Sequence, residues 1–458
     1  MGAFDEFVDH ITNGTVFIES CKEYGRNVSA PLIITSISML FMVFAGFDYL
    51  NNNRFGYGEK YYEAWCAMPA LSLAMVGISA LTPVLRIVLK PIVSPIYKGL
   101  GSHPAMFAGT LLACDMGGYP FAMSMAGDEI SVGLYSGLVL GSMLGATIVF
   151  LIPVGMKLIP QDRHVYFAYG ILIGLLTIPF GCFAGGASMA ATPFKLPIIE
   201  VLKNIVPVVI LCVAIGLCLF IFPRGTLTGF LWFSKIINFL MLFGTVLAIF
   251  QDKVTIKFPL FDTMVEPDKN DGENALYAAL LAVGQIAIVL AGTIPMVHFI
   301  ITVFGKYLAK LGKVIGMNEI DSSLLVSTLA SCIPTDEKFG EMSEVGMIVN
   351  SAFQVGAAFV FGDHLGYIGA VEPDMIVPMI VGKLTSGILS VILAALTAKF
   401  FIGKIHAMDA KHDTTEFSEN TRNRFEEEEE EVIDTEKATG NEQKNPEIHL
   451  ISEALSEI

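Results

Sequence analysis

Nine stretches of this chain are long and apolar enough to cross a lipid bilayer, and no other feature narrows its fold as far. The hydrocarbon core of a bilayer is about 30 Å thick, so a spanning helix takes roughly 20 mostly apolar residues. Runs of that kind occupy 31–50, 64–82, 130–158, 163–190, 197–222, 224–250, 275–303, 346–370 and 374–402. Two further stretches, 103–127 and 320–333, are apolar but interrupted by polar and helix-breaking residues. A membrane β-barrel would read instead as segments of about ten alternating residues. The pattern predicts an all-α integral membrane protein, a polytopic helical bundle of about 10–11 segments. The 43 glycines and 33 phenylalanines suit close helix packing and lipid-facing bulk.

Charge divides the chain into three regions. Only 16% of its residues are charged, against about 25% in an average soluble chain. Residues 403–458 alone hold 16 acids and 6 bases, a net of −10 out of −16. The rest is therefore poorer still in charge, which disfavours a soluble enzyme, a nucleic-acid binder and a disordered protein. The tail includes six consecutive acids, Glu426 to Glu431, and its polarity predicts a disordered segment. Residues 1–28 mix acids and bases with no cleavable signal pattern, and Phe4, Phe7, Val8 and Ile11 recur at the spacing of a short interfacial helix. Between them, residues 29–402 form the expected transmembrane domain. The seven cysteines show no metal-ligand spacing and read as buried thiols.

Two parts of that domain resemble each other. Pro83 and Lys98 match Pro295 and Lys310 at a common offset of 212. Leu112-Ala113-Cys114 then matches Leu329-Ala330-Ser331, and GSMLGATIVF (141–150) resembles FQVGAAFVFG (353–362). Matches in this order predict an internal repeat, inverted or tandem, with halves at about 30–196 and 224–402. Each half holds an apolar helix with a proline, a basic stretch, a broken apolar segment and further helices. Interrupted segments at matching positions point to a transporter's substrate site, because broken helices persist at membrane depth only where they line a cavity or are buried in protein. The basic stretches, with Arg86, Lys90 and Lys98 in one half and Lys306, Lys310 and Lys313 in the other, face the cytoplasm by the positive-inside rule. Whether the acidic tail shares that side depends on whether 320–345 crosses or re-enters; a cytoplasmic tail is the favoured reading.

A charge in the bilayer interior costs at least about 2.5–3.5 kcal/mol on insertion scales, so each one needs a partner, water or a function. Asp115 lies in ACDMGGYPF, far from other acids, and Gly117, Gly118 and Pro120 weaken the helix beside it. With ring faces from Tyr119 and Phe121, this carboxylate suits a small ammonium ion; pairing with a fixed Lys or Arg is the bland alternative. Asp363 and His364 lie between Gly362 and Gly366, where they fit cation binding or a proton relay, or else an ordinary helix end. Asn350 and Gln354, one turn apart, fit hydrogen bonding to a hydroxyl or polar helix packing. Lys383 reads first as a snorkelling side chain and more sharply as a partner of Asp363 or Asp115. Asp48 reads as an interfacial residue. Adjacent charges in PTDEK (334–338) read as a wetted mouth. No hydrolase, Walker-type, zinc-protease or dinucleotide fingerprint occurs in a plausible setting, so no enzyme, cofactor or metal site is expected.

The segments MFAGTLLACDMGG (106–118), LYSGLVLG (134–141), IPFGCFAGG (178–186), FGDHLG (361–366) and PMIVGKL (378–384) resemble the bacterial ethanolamine-utilisation permease family, over roughly residues 35–402. The resemblance implies ethanolamine uptake across the cytoplasmic membrane, in support of a pathway whose lyase works inside a protein microcompartment. It places Asp115 in the family's acidic-Gly-Gly motif, and Asp363 and His364 in its Gly-Asp-His-Leu-Gly motif. Ser331-Cys332 stands where the family often has two asparagines, and Asp336-Glu337-Lys338 is unusual there. Those departures put the second broken helix in doubt as a substrate contact. The expected mechanism is alternating access or facilitated diffusion of ethanolammonium, held by Asp115 with Asp363 and His364 completing the cavity. The residues leave open a carrier for another cation or osmolyte coupled to Na⁺ or H⁺, a membrane sensor or scaffold acting through the acidic tail, and homo-oligomerisation.

Overall fold

The computed structural model describes residues 14–267, 274–314 and 316–439. The expected interfacial residues Phe4, Phe7, Val8 and Ile11 lie outside them, as do the side chains of Lys306, Lys310 and Lys313. The chain divides into two units, residues 1–398 and 399–458. In the second, the backbone is helical as far as Thr439, where composition predicted disorder. No glycine or proline stands between Lys404 and Thr439 to end a helix.

Helix α1 (Gly14–Arg26) precedes α2 (Ala30–Leu50), α3 (Tyr57–Cys66) and α4 (Met68–Gly99). The short α5 (Met106–Leu111) and α6 (Tyr119–Ala126) flank an irregular turn, and α7 spans Ile130–Leu158. Helices α8 (His164–Ser188), α9 (Ile198–Ile221) and α10 (Pro223–Val254) follow. The second half holds α11 (Ala275–Val314), α12 (Glu319–Thr328), α13 (Ile333–Glu337), α14 (Glu344–Ala357), α15 (Asp363–Val371) and α16 (Ile376–Thr439). Among the described residues, eight helical segments are long and apolar enough to cross a membrane. The chain is an all-α, multi-pass membrane protein.

One apolar run departs from its expected form. Residues 346–370 break between α14 and α15, where Ala358 is extended and Phe359 has φ +64°. Hydropathy does not register this break, because every residue from 357 to 361 is apolar. Tertiary hydrogen bonds hold the unwound strand: the Phe359 and Phe361 amides donate to the carbonyls of Thr328 (3.2 Å) and Leu329 (2.9 Å). Those carbonyls sit at the end of α12, itself the first arm of a broken hairpin. Each interruption thus satisfies backbone groups freed by the other.

Burial orders the bundle. The apolar window of α7 is 89% buried, against 11% for α2 and 22% for α10, so α7 lies at the centre and the other two face outward. Central packing relies on small residues, as expected where helices associate without a hydrophobic drive. A Cβ at Gly181 would meet the Gly382 carbonyl and the Ser386 side chain, so α8 and α16 approach backbone to backbone. The Thr177 and Ser386 hydroxyls hydrogen-bond across the same contact at 3.0 Å. The element order recurs: a long proline-containing helix (Pro83 in α4, Pro295 in α11), a broken hairpin (α5–α6, α12–α13), then two further helical segments.

Candidate functional site: a carboxylate at the broken helices

Two interruptions meet at one cavity. In the first, Leu112 and Ala113 are extended and Gly117 adopts φ +85°. That conformation favours glycine, and a Cβ there would also run into the Ile78 side chain. The Met116 and Gly118 amides fold back onto the Ala113 carbonyl at 3.1 and 2.9 Å, and the turn projects Asp115. Opposite lie Phe359, at the break after α14, and Asp363 and His364, at the start of α15. Ala146 and Phe150 of α7 complete a lining that also includes Ala113 and Met116. The cavity measures about 20 Å³, room for about one water molecule.

Asp115 is 16% exposed, and His364 Nε2 lies 3.9 Å from its Oδ1. That separation is too long for a direct hydrogen bond. Among the described residues, no lysine or arginine nitrogen comes within 4.0 Å of the carboxylate. The bland alternative, a fixed Lys or Arg partner, is absent at contact distance. His364 is 2% exposed and its Nδ1 has no hydrogen-bond partner. Its ring leans against Phe359 at 5.3 Å, and Phe359 meets Phe150 edge-on at 5.5 Å.

Lys383 does not snorkel. It is 1% exposed, within electrostatic range of Asp115 and Cys114, but its Nζ donates to the Ser142 carbonyl at 2.5 Å. That carbonyl belongs to a π-helical stretch of α7, Tyr135–Gly145, whose wider winding displaces carbonyls from regular pairing, a device common at functional sites. Asp48 is not solvated either. It is 3% exposed and accepts the amides of Phe55, Tyr57 and Gly58, each at 2.9 Å, so it holds the loop and caps α3.

The structure brings Asp115, Asp363 and His364 together and separates the other expected residues. Tyr119 packs edge-on against Tyr367 at 6.3 Å, and Phe121 against Phe107 at 6.4 Å. A Cβ at Gly118 would meet the Leu112 and Ala113 carbonyls, so this glycine serves the turn. Asn350 and Gln354 face the second hairpin: Asn350 Nδ2 donates to the Asp321 and Gly346 carbonyls, and Gln354 Nε2 to Asp336. Asp336 corrects the expectation of a wetted mouth, since it is 0% exposed, whereas its neighbours Glu337 and Lys338 are exposed. The one-turn helix α13 points the first inward and the other two out. Phe150 and Phe359 are the ring-bearing residues that sequence reasoning missed. Both belong to the matched segments 141–150 and 353–362, so the internal match was the signal that could have found them.

Cys114, Asp115 and His364 offer sulfur, oxygen and nitrogen atoms within 4.8 Å of one another. Neighbouring donors on tetrahedral zinc lie about 3.3–3.8 Å apart, so these three are spread wide of a closed metal centre. Cys114 is also fully buried against a carboxylate, unlike the electropositive, partly exposed setting of reactive or metal-binding thiols. The arrangement fits a small organic cation better: a carboxylate, an imidazole whose Nε2 lies 3.9 Å from it, and two aromatic rings in the same lining.

Comparison with known proteins agrees in kind. A relative from Listeria monocytogenes serotype 1/2a (strain 10403S), named probable ethanolamine permease EutH, is 42% identical over 377 residues, covering 82% of this chain and 96% of its own length. The protein of the same name from Escherichia coli (strain K12) is 40% identical over 391 residues, covering 80% and 94%. A Bacillus subtilis (strain 168) protein, named uncharacterized protein YxeR, is 36% identical over 362 residues, covering 79% and 93%. No solved structure matches. The family model described as ethanolamine utilisation protein, EutH, matches residues 31–397, a span holding the interrupted helices and the cavity, and the chain belongs to that family.

Proposed function

We propose that this chain is a permease, not an enzyme, that takes up ethanolamine as ethanolammonium across the bacterial cytoplasmic membrane. One observation carries the reading: Asp115 is a carboxylate inside an apolar bundle, open to a cavity and free of any lysine or arginine at contact distance among the described residues. An alkylamine is protonated at neutral pH, and moving its charge into hydrocarbon without a counter-ion is prohibitive. Asp115 supplies that counter-ion. The Phe150 and Phe359 rings add cation–π attraction. The His364 imidazole, whose Nε2 lies 3.9 Å from the carboxylate, receives the hydroxyl, and Asp363 closes the remaining wall.

A cavity of about 20 Å³ cannot admit a molecule of four heavy atoms unless its walls move. Those walls come from interrupted helices, whose unwound residues are natural hinges, so entry and exit proceed by alternating exposure around Asp115. The direct test is uptake of labelled ethanolamine into vesicles containing the purified protein, at low concentration and mildly acidic pH. Uptake above that of empty vesicles, competed by unlabelled ethanolamine, supports the permease. Uptake equal to empty vesicles ends the proposal. Transport of another cation without competition by ethanolamine would reassign the substrate.

A further inference from the structure

The second hairpin carries a buried acid that the amine cavity does not use. Asp336 is 0% exposed and Gln354 1% exposed, and Gln354 Nε2 donates to Asp336 Oδ1 at 2.9 Å. The other oxygen of each group, Asp336 Oδ2 and Gln354 Oε1, is buried with no hydrogen-bond partner. Two orphaned acceptors on one hydrogen-bonded pair are costly, and one proton satisfies both. We infer that Asp336 and Gln354 form a proton-binding site, in which a proton on Asp336 Oδ2 is donated to Gln354 Oε1 and closes a cyclic acid–amide pair.

The surroundings supply no competing charge. Cys332, one turn before on the hairpin, lies beside the carboxyl with Asp363 beyond it; its neutral thiol is only a weak donor and leaves the Gln354 Oε1 without a partner. On α12, Glu319 is exposed and Asp321 is taken up by the Asn318 amide and by the Ser343 amide and hydroxyl. Lys157, at the end of α7, and Glu341, in the turn after α13, are exposed. Glu344 of α14 accepts from the Tyr166 hydroxyl at 2.6 Å. Among the described residues, no lysine, arginine or histidine nitrogen lies within 4.0 Å of Asp336 to neutralise an ionised form. A proton does so without adding volume. The next two residues, Glu337 and Lys338, are exposed, so the buried acid sits one residue from water, and a small movement of α13 would release the proton.

On the permease reading, this proton moves together with ethanolamine during transport; that coupling role rests on the permease reading, and the protonation does not. Infrared spectra of the purified full-length protein at neutral pH test the latter. The wild type should show a protonated carboxylic-acid carbonyl band that Asp336→Asn lacks and that Gln354→Leu shifts. The asparagine amide can make both hydrogen bonds of the acid, so Asp336→Asn should fold. Folding binds this proton and unfolding at neutral pH releases it, so stability falls as pH rises. The melting temperature of the wild type should therefore drop as pH rises from mildly acidic to neutral and level off above, and that of Asp336→Asn should lose this drop. An unchanged acid band in Asp336→Asn overturns the site. So does a wild-type melting temperature that shifts when sodium replaces choline while that of Asp336→Asn does not, because a metal cation would then occupy the orphaned oxygens. In dye-loaded vesicles, ethanolamine should move protons through the wild type and not through Asp336→Asn; proton movement retained by the variant overturns the coupling role. Failure of ethanolamine to bind either protein would remove the permease reading and leave the infrared result standing.

Discussion

At the scale of single residues, the chemistry depends on which buried polar atoms lack partners. Asp115 and the His364 Nδ1 are underused in ways that the buried Lys383 and Asp48 are not. Replacing Asp115 by Asn keeps the shape and removes the charge. A hydrogen bond to a charged group contributes about 1.5–3 kcal/mol, so Asp115→Asn should weaken ethanolamine affinity by about 10- to 150-fold, with the protein still folded and membrane-inserted. Uptake kinetics in vesicles measure it, and wild-type affinity in the variant would move the cation site elsewhere. Asp48→Ala provides a contrast. It strips three amides of their acceptor and should lower stability by about 1–2 kcal/mol, with transport per folded molecule unchanged; thermal melting alongside uptake separates the two effects. Asp115, Asp363 and His364 were legible as a group because each is an ionisable residue in an apolar, glycine-flanked setting. The inward turn of Asp336 was not legible, since three consecutive charges read as surface until a one-turn helix separates them.

At the scale of elements, the interruptions hold one another open. Gly145 of α7 lies so close to the break after α5 that a Cβ would enter the Leu112 carbonyl. Gly145→Val should therefore force α7 away from the Asp115 turn at a cost of about 1–3 kcal/mol. The melting temperature should fall and uptake with it, whereas a valine at Gly229, which has open space around it, should change neither. Eight of the nine apolar runs emerged within helical spans, seven near their expected bounds and 64–82 inside the longer span 57–99, because length and hydrophobicity alone decide whether a segment can span. The ninth, 346–370, did not. Its break is imposed by hydrogen bonds to α12, more than 25 residues earlier in the chain, and no local pattern of Val, Phe and Ala encodes such a contact.

At the scale of the whole molecule, the membrane body and the acidic tail call for separate tests. A permease whose chemistry lies within residues 31–397 should keep its uptake rate when 403–458 is deleted; loss of function in correctly inserted protein would favour the sensor or scaffold reading. Chelation of divalent metals should likewise leave uptake unchanged, and inhibition reversed by zinc would assign Cys114, Asp115 and His364 to a metal instead. The amino-acid sequence by itself determined the solvent in which the chain folds and the number of spans to within a few. These follow from local composition, because a bilayer selects segments by hydrophobicity one helix at a time. Only the tertiary structure decided which broken ends meet, which rings line the cavity, and that Asp336 faces Gln354 rather than water. Those outcomes depend on hydrogen bonds and close contacts between residues far apart in the chain, where the energy belongs to the pair and neither segment carries it alone.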